Sequence, residues 1–251
     1  MSEHRGEKPL TTTKEAARQT AKAETSSPPV HRYRAVLFQI ALFIAMVIFA
    51  SLTFLASTTP FFPIDLQITL AIQEIESPFF AGLMTLVSWP GFLPQSVIII
   101  LLIAFTLYIY GLHWESFSLL AGVSISGVTN ELVKEIIQRP RPTADQVDVF
   151  SILTSFSYPS GHVMFYLSLF GFVWYLTYTL LKPSLKRSFL LIFFGSLILL
   201  VGVSRIYLGH HWASDVLGAY LLGGLILMGI ILFYQWGKKS FFLRQPVAPR
   251  H

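Results

Sequence analysis

Long apolar stretches separated by short polar ones dominate the chain from residue 35 to residue 236. Six of these stretches are rich in Leu, Ile, Val and Phe, and most approach the roughly 20 residues that a helix needs to cross a hydrocarbon core. We therefore predict an all-α fold of six transmembrane helices, at residues 35–56, 92–110, 117–137, 164–181, 189–203 and 213–236. These helices form one membrane domain, over residues 35–236.

The segment between the first two predicted spans has a different pattern. Its polar residues recur at helical spacing: Asp65, Thr69, Gln73 and Glu76. Because apolar residues fill the other face, we expect an amphipathic helix on the membrane surface, with a soluble connector as the alternative. The next apolar stretch, residues 79–88, is too short to span and ends at the helix-breaking pair Pro90-Gly91.

The ends of the chain are polar. Residues 1–34 mix charges with Ser, Thr and Ala and lack an apolar run, so we predict a disordered tail there. Residues 237–251 form a second, shorter tail.

The composition supports a membrane protein. The chain is 53% hydrophobic and 12% charged, whereas soluble domains carry about 25% charged residues. The net charge of +5 would suit a nucleic-acid binder, but the basic residues cluster in the tails and one loop, so nucleic acid is not an expected partner. The absence of Cys excludes disulfides, thiolate metal sites and Cys nucleophiles.

The basic residues also predict the topology. Fourteen of the 18 Lys and Arg lie in the tails and in the loop at residues 182–187. With six spans these three segments share one side, which the positive-inside bias assigns to the cytoplasm. The other four cations lie at the opposite ends of spans three and five: Lys134, Arg139, Arg141 and Arg205. Cations in that position break the bias, so we expect them to have a function.

Three short polar clusters meet on this second face. They are Lys134 with Arg141-Pro142, then Pro159-Ser160-Gly161-His162, then Ser204-Arg205 with His211 and Asp215. Three cations with few nearby carboxylates suit a phosphate dianion, to which Arg offers paired donors. Ser160-Gly161 opens a helix, whose free N–H groups also favour an anion.

Two histidines complete the expected chemistry. His211 and Asp215 are four residues apart and share a helical face, so the carboxylate can fix the tautomer and leave one imidazole nitrogen nucleophilic. His162 lies beside the anion site and is suited to protonate a leaving group. This arrangement requires no metal and no cofactor.

The order and spacing of the three clusters resemble the signature of the membrane-bound type-2 phosphatidic acid phosphatase superfamily. The resemblance implies that His211 attacks phosphorus and forms a phosphohistidine, that Asp215 orients His211, and that His162 protonates the leaving group and then activates water. It also implies a clamp on the phosphate oxygens: Lys134, Arg141, Ser160, Gly161 and Arg205. The expected substrate is a lipid phosphomonoester or diphosphate of the undecaprenyl diphosphate, phosphatidylglycerophosphate or phosphatidic acid type, reached from the surrounding membrane lipid.

Several alternatives stay open at this point. His210 could replace His211 as nucleophile, although a surface position is expected for it, and Arg139 is expected at the headgroup or the surface. Asn130 and Glu131 are expected to hydrogen-bond within the bundle, with Glu131 or Glu135 able to pair with a clamp cation. The same site could serve a lipid-linked phosphotransferase, and a structural ion-pair network in a transporter is the non-enzymatic alternative.

Overall fold

The structure is a computed structural model that describes residues 28–242, and the elements of this part of the chain are helical. Eight helices follow one another: α1 (Pro28–Thr58), α2 (Pro63–Gln73), α3 (Pro78–Ser88), α4 (Gln95–Ile109), α5 (His113–Ile137), α6 (Gly161–Leu180), α7 (Leu185–Tyr207) and α8 (Ala213–Gly237). A π-helical turn, Leu167–Gly171, interrupts α6, and a second one, Lys238–Phe242, follows α8. The all-α prediction is confirmed for these residues.

Four of these helices are long and apolar enough to cross a membrane: Val36–Thr58, Gly161–Leu180, Leu185–Tyr207 and Ala213–Phe241. The pair α3 and α4 passes the same test together, which gives five spans if the pair counts as one. These five correspond to predicted spans one, four, five, six and two. Helix α5 covers the third predicted span but is not among them, so the count of six stays a prediction.

The described helices carry large apolar side chains on their outer surface. Phe43 and Phe54 of α1, Phe105 of α4 and Leu199 of α7 are all more than 60% exposed. A soluble protein rarely leaves so much contiguous apolar surface open, whereas lipid is the natural solvent for it. The chain is therefore a multi-span membrane protein.

The pair α3 and α4 is broken where the sequence predicts a break. Trp89–Gly91 forms a single 3₁₀ turn, and the two helices are bent by 64° across it. Helix α4 begins at Gln95, three residues after the predicted start of the second span. The bend brings the turn against the N-terminal end of α6, where Gly91 and Phe92 lie beside the imidazole ring of His162.

The first helix begins earlier than expected. It starts at Pro28, so residues 28–34, which we predicted as part of the disordered tail, are helical. The remainder of that predicted tail, residues 1–27, lies outside the described residues, as do residues 243–251 of the second tail.

Helix α2 has the predicted amphipathic pattern, but its polar face points into the protein. Asp65 and Thr69 are fully buried, while Ile64 and Leu70 are about half exposed. The physical reason is a buried arginine, Arg139, which bonds to Asp65 across the bundle. The expected helix on the membrane surface is not confirmed, because Asp65 and Thr69 of its polar face are buried in the protein.

Helix α6 is the centre of the bundle. Its Val163, Leu169 and Phe172 are fully buried, in a core shared with α5, α7 and α8. Glycine permits the close approach of α8 to this core: a Cβ on Gly223 would lie 2.8 Å from Leu167 Cδ1, and one on Gly218 would lie 2.5 Å from the Tyr158 ring. This packing fixes the N-terminal ends of α6 and α8 side by side.

Candidate active site

Helix ends and loops bring the predicted clusters to one place. The C-terminal ends of α5 and α7, the N-terminal ends of α6 and α8, and the loops at residues 138–160 and 208–212 surround a cavity of about 500 Å³. Six of the eight predicted site residues line it: Lys134, Arg141, Gly161, His162, Arg205 and His211. The other two, Ser160 and Asp215, are buried beside it.

The two ring nitrogens of His211 have different partners. Nε2 lies 3.1 Å from an Arg141 guanidinium nitrogen, and Nδ1 lies 3.5 Å from Ser157 Oγ. A guanidinium can only donate, so Nε2 must be the acceptor and Nδ1 carries the proton. Burial lowers the pKa of His211 well below its usual value, and the neighbouring Arg141 and Arg205 lower it further. His211 is therefore a neutral imidazole with its Nε2 lone pair facing the cation cluster.

Asp215 is held more firmly than the sequence predicts. Its Oδ1 accepts from Arg139 NH1 at 2.6 Å, and its Oδ2 accepts from the Trp212 amide at 2.9 Å and from the Ser157 hydroxyl. The distance from Oδ2 to His211 Nδ1 is 3.7 Å, longer than a hydrogen bond. The hydroxyl of Ser157 stands between them, so it links the carboxylate to the imidazole.

His162 is positioned by packing. Its ring meets the edge of the Phe92 ring at 4.6 Å between centroids, and a Cβ on Gly91 would lie 2.3 Å from its Cδ2. Its Nε2 is buried without a hydrogen-bond partner among the residues the structure describes. An unsatisfied imidazole nitrogen in a polar cavity is suited to meet a substrate oxygen.

The three clamp cations differ in how they are paired. Lys134 contacts Glu131 at 3.3 Å, and Arg141 donates to the carbonyl oxygens of Ser155 and His210 at 2.6 Å each. Arg205 is fully buried and its NH1 donates to Ser88 Oγ, but its Nε and NH2 have no partner within residues 28–242. A buried guanidinium with free donors is costly unless an anion completes it.

The start of α6 borders the same cavity through Gly161 and His162. A Cβ on Gly161 would lie 3.0 Å from Asn130 Oδ1 and 3.7 Å from Lys134 Nζ, so glycine leaves this space open beside the helix N-terminus. Asn130 donates to the Pro159 carbonyl at 3.1 Å, a bond within the bundle as expected. The buried Ser160 hydroxyl has no partner in the described part of the chain.

Two residues that the sequence places at the surface are buried. Arg139 is 1% exposed and bonds to both Asp65 and Asp215, because only paired carboxylates make its burial tolerable. His210 is 3% exposed, and its Nε2 lies 2.7 Å from Ser151 Oγ. Burial and the nearby arginines lower the pKa of His210 to about 3. His210 does not line the cavity, whereas its neighbour His211 and also His162 do.

No group of three His, Asp or Glu side chains within residues 28–242 is arranged to hold a metal ion. The charged groups that face the cavity are instead three cations and one carboxylate, Glu131.

This architecture of apolar helices around a buried cationic cavity with a neutral imidazole is that of a membrane phosphatase. A family model described as the PAP2 superfamily matches residues 115–239, a range that contains all eight predicted site residues. The chain belongs to the PAP2 superfamily and is a hydrolase of its lipid-phosphatase type, which confirms the resemblance seen in the three motifs.

Individual relatives agree with this assignment. Phosphatidylglycerophosphatase B of Bacillus subtilis (strain 168) is 29% identical over 180 residues, 70% of this chain and 86% of that protein. Dolichyldiphosphatase 1 of Homo sapiens is 28% identical over 175 residues, 61% of this chain and 72% of that protein. The crystal structure of a transmembrane PAP2 type phosphatidylglycerolphosphate phosphatase from Bacillus subtilis matches with a TM-score of 0.69 at 27% identity, covering 81% of this chain and 98% of that one.

Proposed function

We propose that the protein hydrolyses a lipid phosphomonoester or diphosphate through a phosphohistidine formed on His211. The observation that carries the proposal is the neutral His211 Nε2, which faces a cavity whose walls hold Lys134, Arg141 and the unsatisfied donors of Arg205. A bound phosphoryl group would complete all of these at once, and the clamp would stabilise the charge that develops on its oxygens.

The reaction takes two steps. His211 Nε2 bonds to phosphorus as the bond to the leaving oxygen breaks, and His162 gives that oxygen a proton. A water molecule then loses a proton to His162, its oxygen bonds to phosphorus, and the phosphorus–nitrogen bond breaks. Inorganic phosphate leaves and His211 is restored. Neither step needs a metal ion, because Lys134, Arg141 and Arg205 supply the positive charge that stabilises the phosphate oxygens.

The cavity also suits a lipid. Its wall includes apolar Leu93, Val123 and Phe165 beside the cationic end, so an amphiphile can place its phosphate on the clamp and its tail along the helices. The names of the relatives favour a glycerophospholipid monophosphate or a polyprenyl diphosphate.

We further propose six spans, with α5 as the sixth. Its buried positions are mostly polar, among them Ser118, Ser126 and Asn130, while Val128 and Ile136 are exposed. A helix with polar residues inside and apolar residues outside suits lipid better than water. Six spans place both tails in the cytoplasm and the active site on the outer face of the plasma membrane.

Phosphate release by the purified protein in detergent tests the proposal. The substrates are phosphatidylglycerophosphate, phosphatidic acid and undecaprenyl diphosphate, with glucose 6-phosphate as the soluble comparison. We expect release from at least one lipid, in excess EDTA, with inhibition by vanadate and no release by His211→Ala. Activity that EDTA removes and magnesium restores would contradict the metal-free clamp. Transfer of phosphate to an added alcohol in place of release would indicate a phosphotransferase.

A further inference from the structure

Three buried charged side chains, Asp65, Arg139 and Asp215, form a row behind the cavity. Of these, only Asp215 belongs to the sequence motifs. Arg139 lies between Asp65 of α2 and Asp215 of α8, with NH2 3.0 Å from Asp65 Oδ2 and NH1 2.6 Å from Asp215 Oδ1. The three side chains are at most 1% exposed. Asp65 lies outside the motif region and touches none of the groups that line the cavity.

Asp65 is fixed on every side. Its Oδ1 accepts from the Ser214 amide at 2.8 Å, and its Oδ2 accepts from the Ser214 hydroxyl at 2.7 Å and from the Phe62 amide at 3.0 Å. These bonds join the start of α2 to the start of α8, one residue before Asp215. A carboxylate that accepts this many bonds is held in one orientation.

Asp65 balances the charge of Arg139 and fixes the orientation of its guanidinium group. Its NH1 also donates to Ser214 Oγ at 2.7 Å, and its Nε donates to the Pro60 carbonyl at 3.0 Å. Without Asp65, one buried carboxylate would have to balance the guanidinium alone, and the NH2 donors would lose their acceptor. The guanidinium would then be free to turn, and NH1 would no longer be held against Asp215.

The charge of the row favours the first chemical step. Two carboxylates and one guanidinium leave a net charge of −1 on the Nδ1 side of His211, while the clamp cations lie on the Nε2 side. When Nε2 bonds to phosphorus, the imidazole ring gains positive charge, which an anion on the Nδ1 side stabilises. Replacing Asp65 by a neutral residue would remove this net charge.

We propose that Asp65 is a positioning residue of the active site, which acts through Arg139 to hold and charge-balance Asp215 against Ser157 and His211. The inference rests on the proposed function, in which His211 is the nucleophile. It gives α2 a role in the reaction, although no residue of α2 lines the cavity.

Asp65→Asn tests the inference in the full-length protein in detergent. We expect kcat to fall roughly tenfold to a hundredfold, as when a buried partner that orients a functional group is lost, with KM and vanadate affinity changed less than about threefold. KM should change little because the substitution does not alter the phosphate-binding cations Lys134, Arg141 and Arg205. Asp65→Ser is the second variant, since it brings no amide hydrogens against the Arg139 donors, and it has the same expectation.

Glu115→Gln is the matched control. Glu115 is also a buried carboxylate, 1% exposed and paired with Lys238 at 2.6 Å, but it lies at the opposite end of α5 from Lys134. We expect Glu115→Gln to lower the melting temperature as Asp65→Asn does while kcat stays within about twofold of wild type. Equal kcat losses in both variants would reduce Asp65 to a stability role and overturn the inference.

A double-mutant cycle tests the route through Arg139. If Asp65 acts only through it, Asp65→Asn in an Arg139→Gln background should cost less than about twofold further, whereas independent residues would give multiplied losses. Multiplied losses would overturn the route.

A readout without substrate separates this inference from the proposed function. In ¹⁵N-histidine spectra, we expect Asp65→Asn to shift the His211 resonances, assigned by their loss in His211→Ala, and Glu115→Gln to leave them in place. Unshifted resonances would overturn the inference whatever the activity. Absence of phosphate release from the wild type would instead overturn the proposed function alone.

Discussion

At the residue scale, His211 has opposite surroundings on its two nitrogens. Arg141 lies at Nε2, and Ser157, bonded to Asp215, lies at Nδ1. Both neighbours favour the same tautomer, and burial among cations keeps the ring neutral. If His211 is the nucleophile, as we propose, the ring can attack phosphorus without first losing a proton.

This environment predicts how His211 titrates. Because burial, and then Arg141 and Arg205, hold the pKa of His211 well below its usual value, the ring should stay neutral as the pH falls from 7 to 5.5, a range in which free histidine gains its proton. Histidine ¹⁵N spectra of the substrate-free protein should show His211 with the proton on Nδ1 throughout. A positively charged ring at pH 6 would contradict the assignment of Nε2 as a ready nucleophile.

The two histidines should respond differently to the leaving group. A lipid alkoxide leaves poorly without a proton, whereas nitrophenolate leaves without help. His162→Ala should therefore lose about 10²–10⁴-fold on a lipid monophosphate and distinctly less on p-nitrophenyl phosphate. His211→Ala should remove activity on both substrates.

Slow dephosphorylation could mask this difference, since His162 also activates water. Burst kinetics, or phosphoenzyme trapped in His162→Ala, would reveal that case. Equal losses on both substrates, with neither burst nor trapped intermediate, would rule out His162 as the leaving-group acid. A phosphoenzyme that still forms in His211→Ala would transfer the nucleophile's role to His210.

The motifs predict eight residues that the structure brings to one place, six of them lining the cavity and two buried beside it, because the members of each motif are close in sequence. They could not predict the contacts that Arg139, Ser157 and Asp65 make in the structure. Ser157 lies 58 residues from Asp215, and Arg139 lies 74 residues from Asp65. Such contacts depend on tertiary packing, and no local spacing encodes them. The available signals are weak: the repeated Arg-Pro pair at 139–142, and a polar face on α2 that periodicity alone assigns to the membrane surface.

At the element scale, the turn between α3 and α4 packs against His162, the proposed general acid. Hydropathy and Pro90-Gly91 predict where this turn falls, but not that the 64° bend presses it against His162. Helix α2 is a second example: periodicity predicts that the helix is amphipathic, but it does not predict which of the two faces is buried. The pattern of apolar and polar residues predicts where the helices lie in the sequence, whereas their orientation depends on contacts with residues far away in the chain.

Gly91→Ala tests the turn. The added Cβ would lie 2.3 Å from the His162 ring, so the ring must move away from its place beside the clamp. We expect kcat on a lipid monophosphate to fall about tenfold or more. Gly82→Ala in α3 is the matched control, because nothing lies within 4 Å of its Cβ, and its activity should be unchanged. Comparable activity in both variants would show that the position of His162 is not critical.

At the scale of the whole molecule, the Lys and Arg residues fall into two groups, one around the cavity and one in the tails and the loop at 182–187. At the cavity, Lys134 and Arg205 are buried and Arg141 is partly buried, while most other basic residues of the sequence lie in the tails and in the loop at 182–187. If the tails and this loop share the cytoplasmic side, the cations at the cavity are the exception to the positive-inside bias, and the phosphate clamp that we propose would explain it.

This topology can be tested with single cysteines, because the chain has none of its own. Thr143 is an exposed residue in the loop beside the cavity, and Ser184 is an exposed residue in the loop before α7. In intact cells, a membrane-impermeant maleimide should label Thr143→Cys and leave Ser184→Cys unlabelled. After permeabilisation both should react, which controls for local accessibility. Because the two sites lie on opposite sides of the predicted membrane, the reverse pattern would place the active site in the cytoplasm. Labelling of both in intact cells would contradict the six-span arrangement itself.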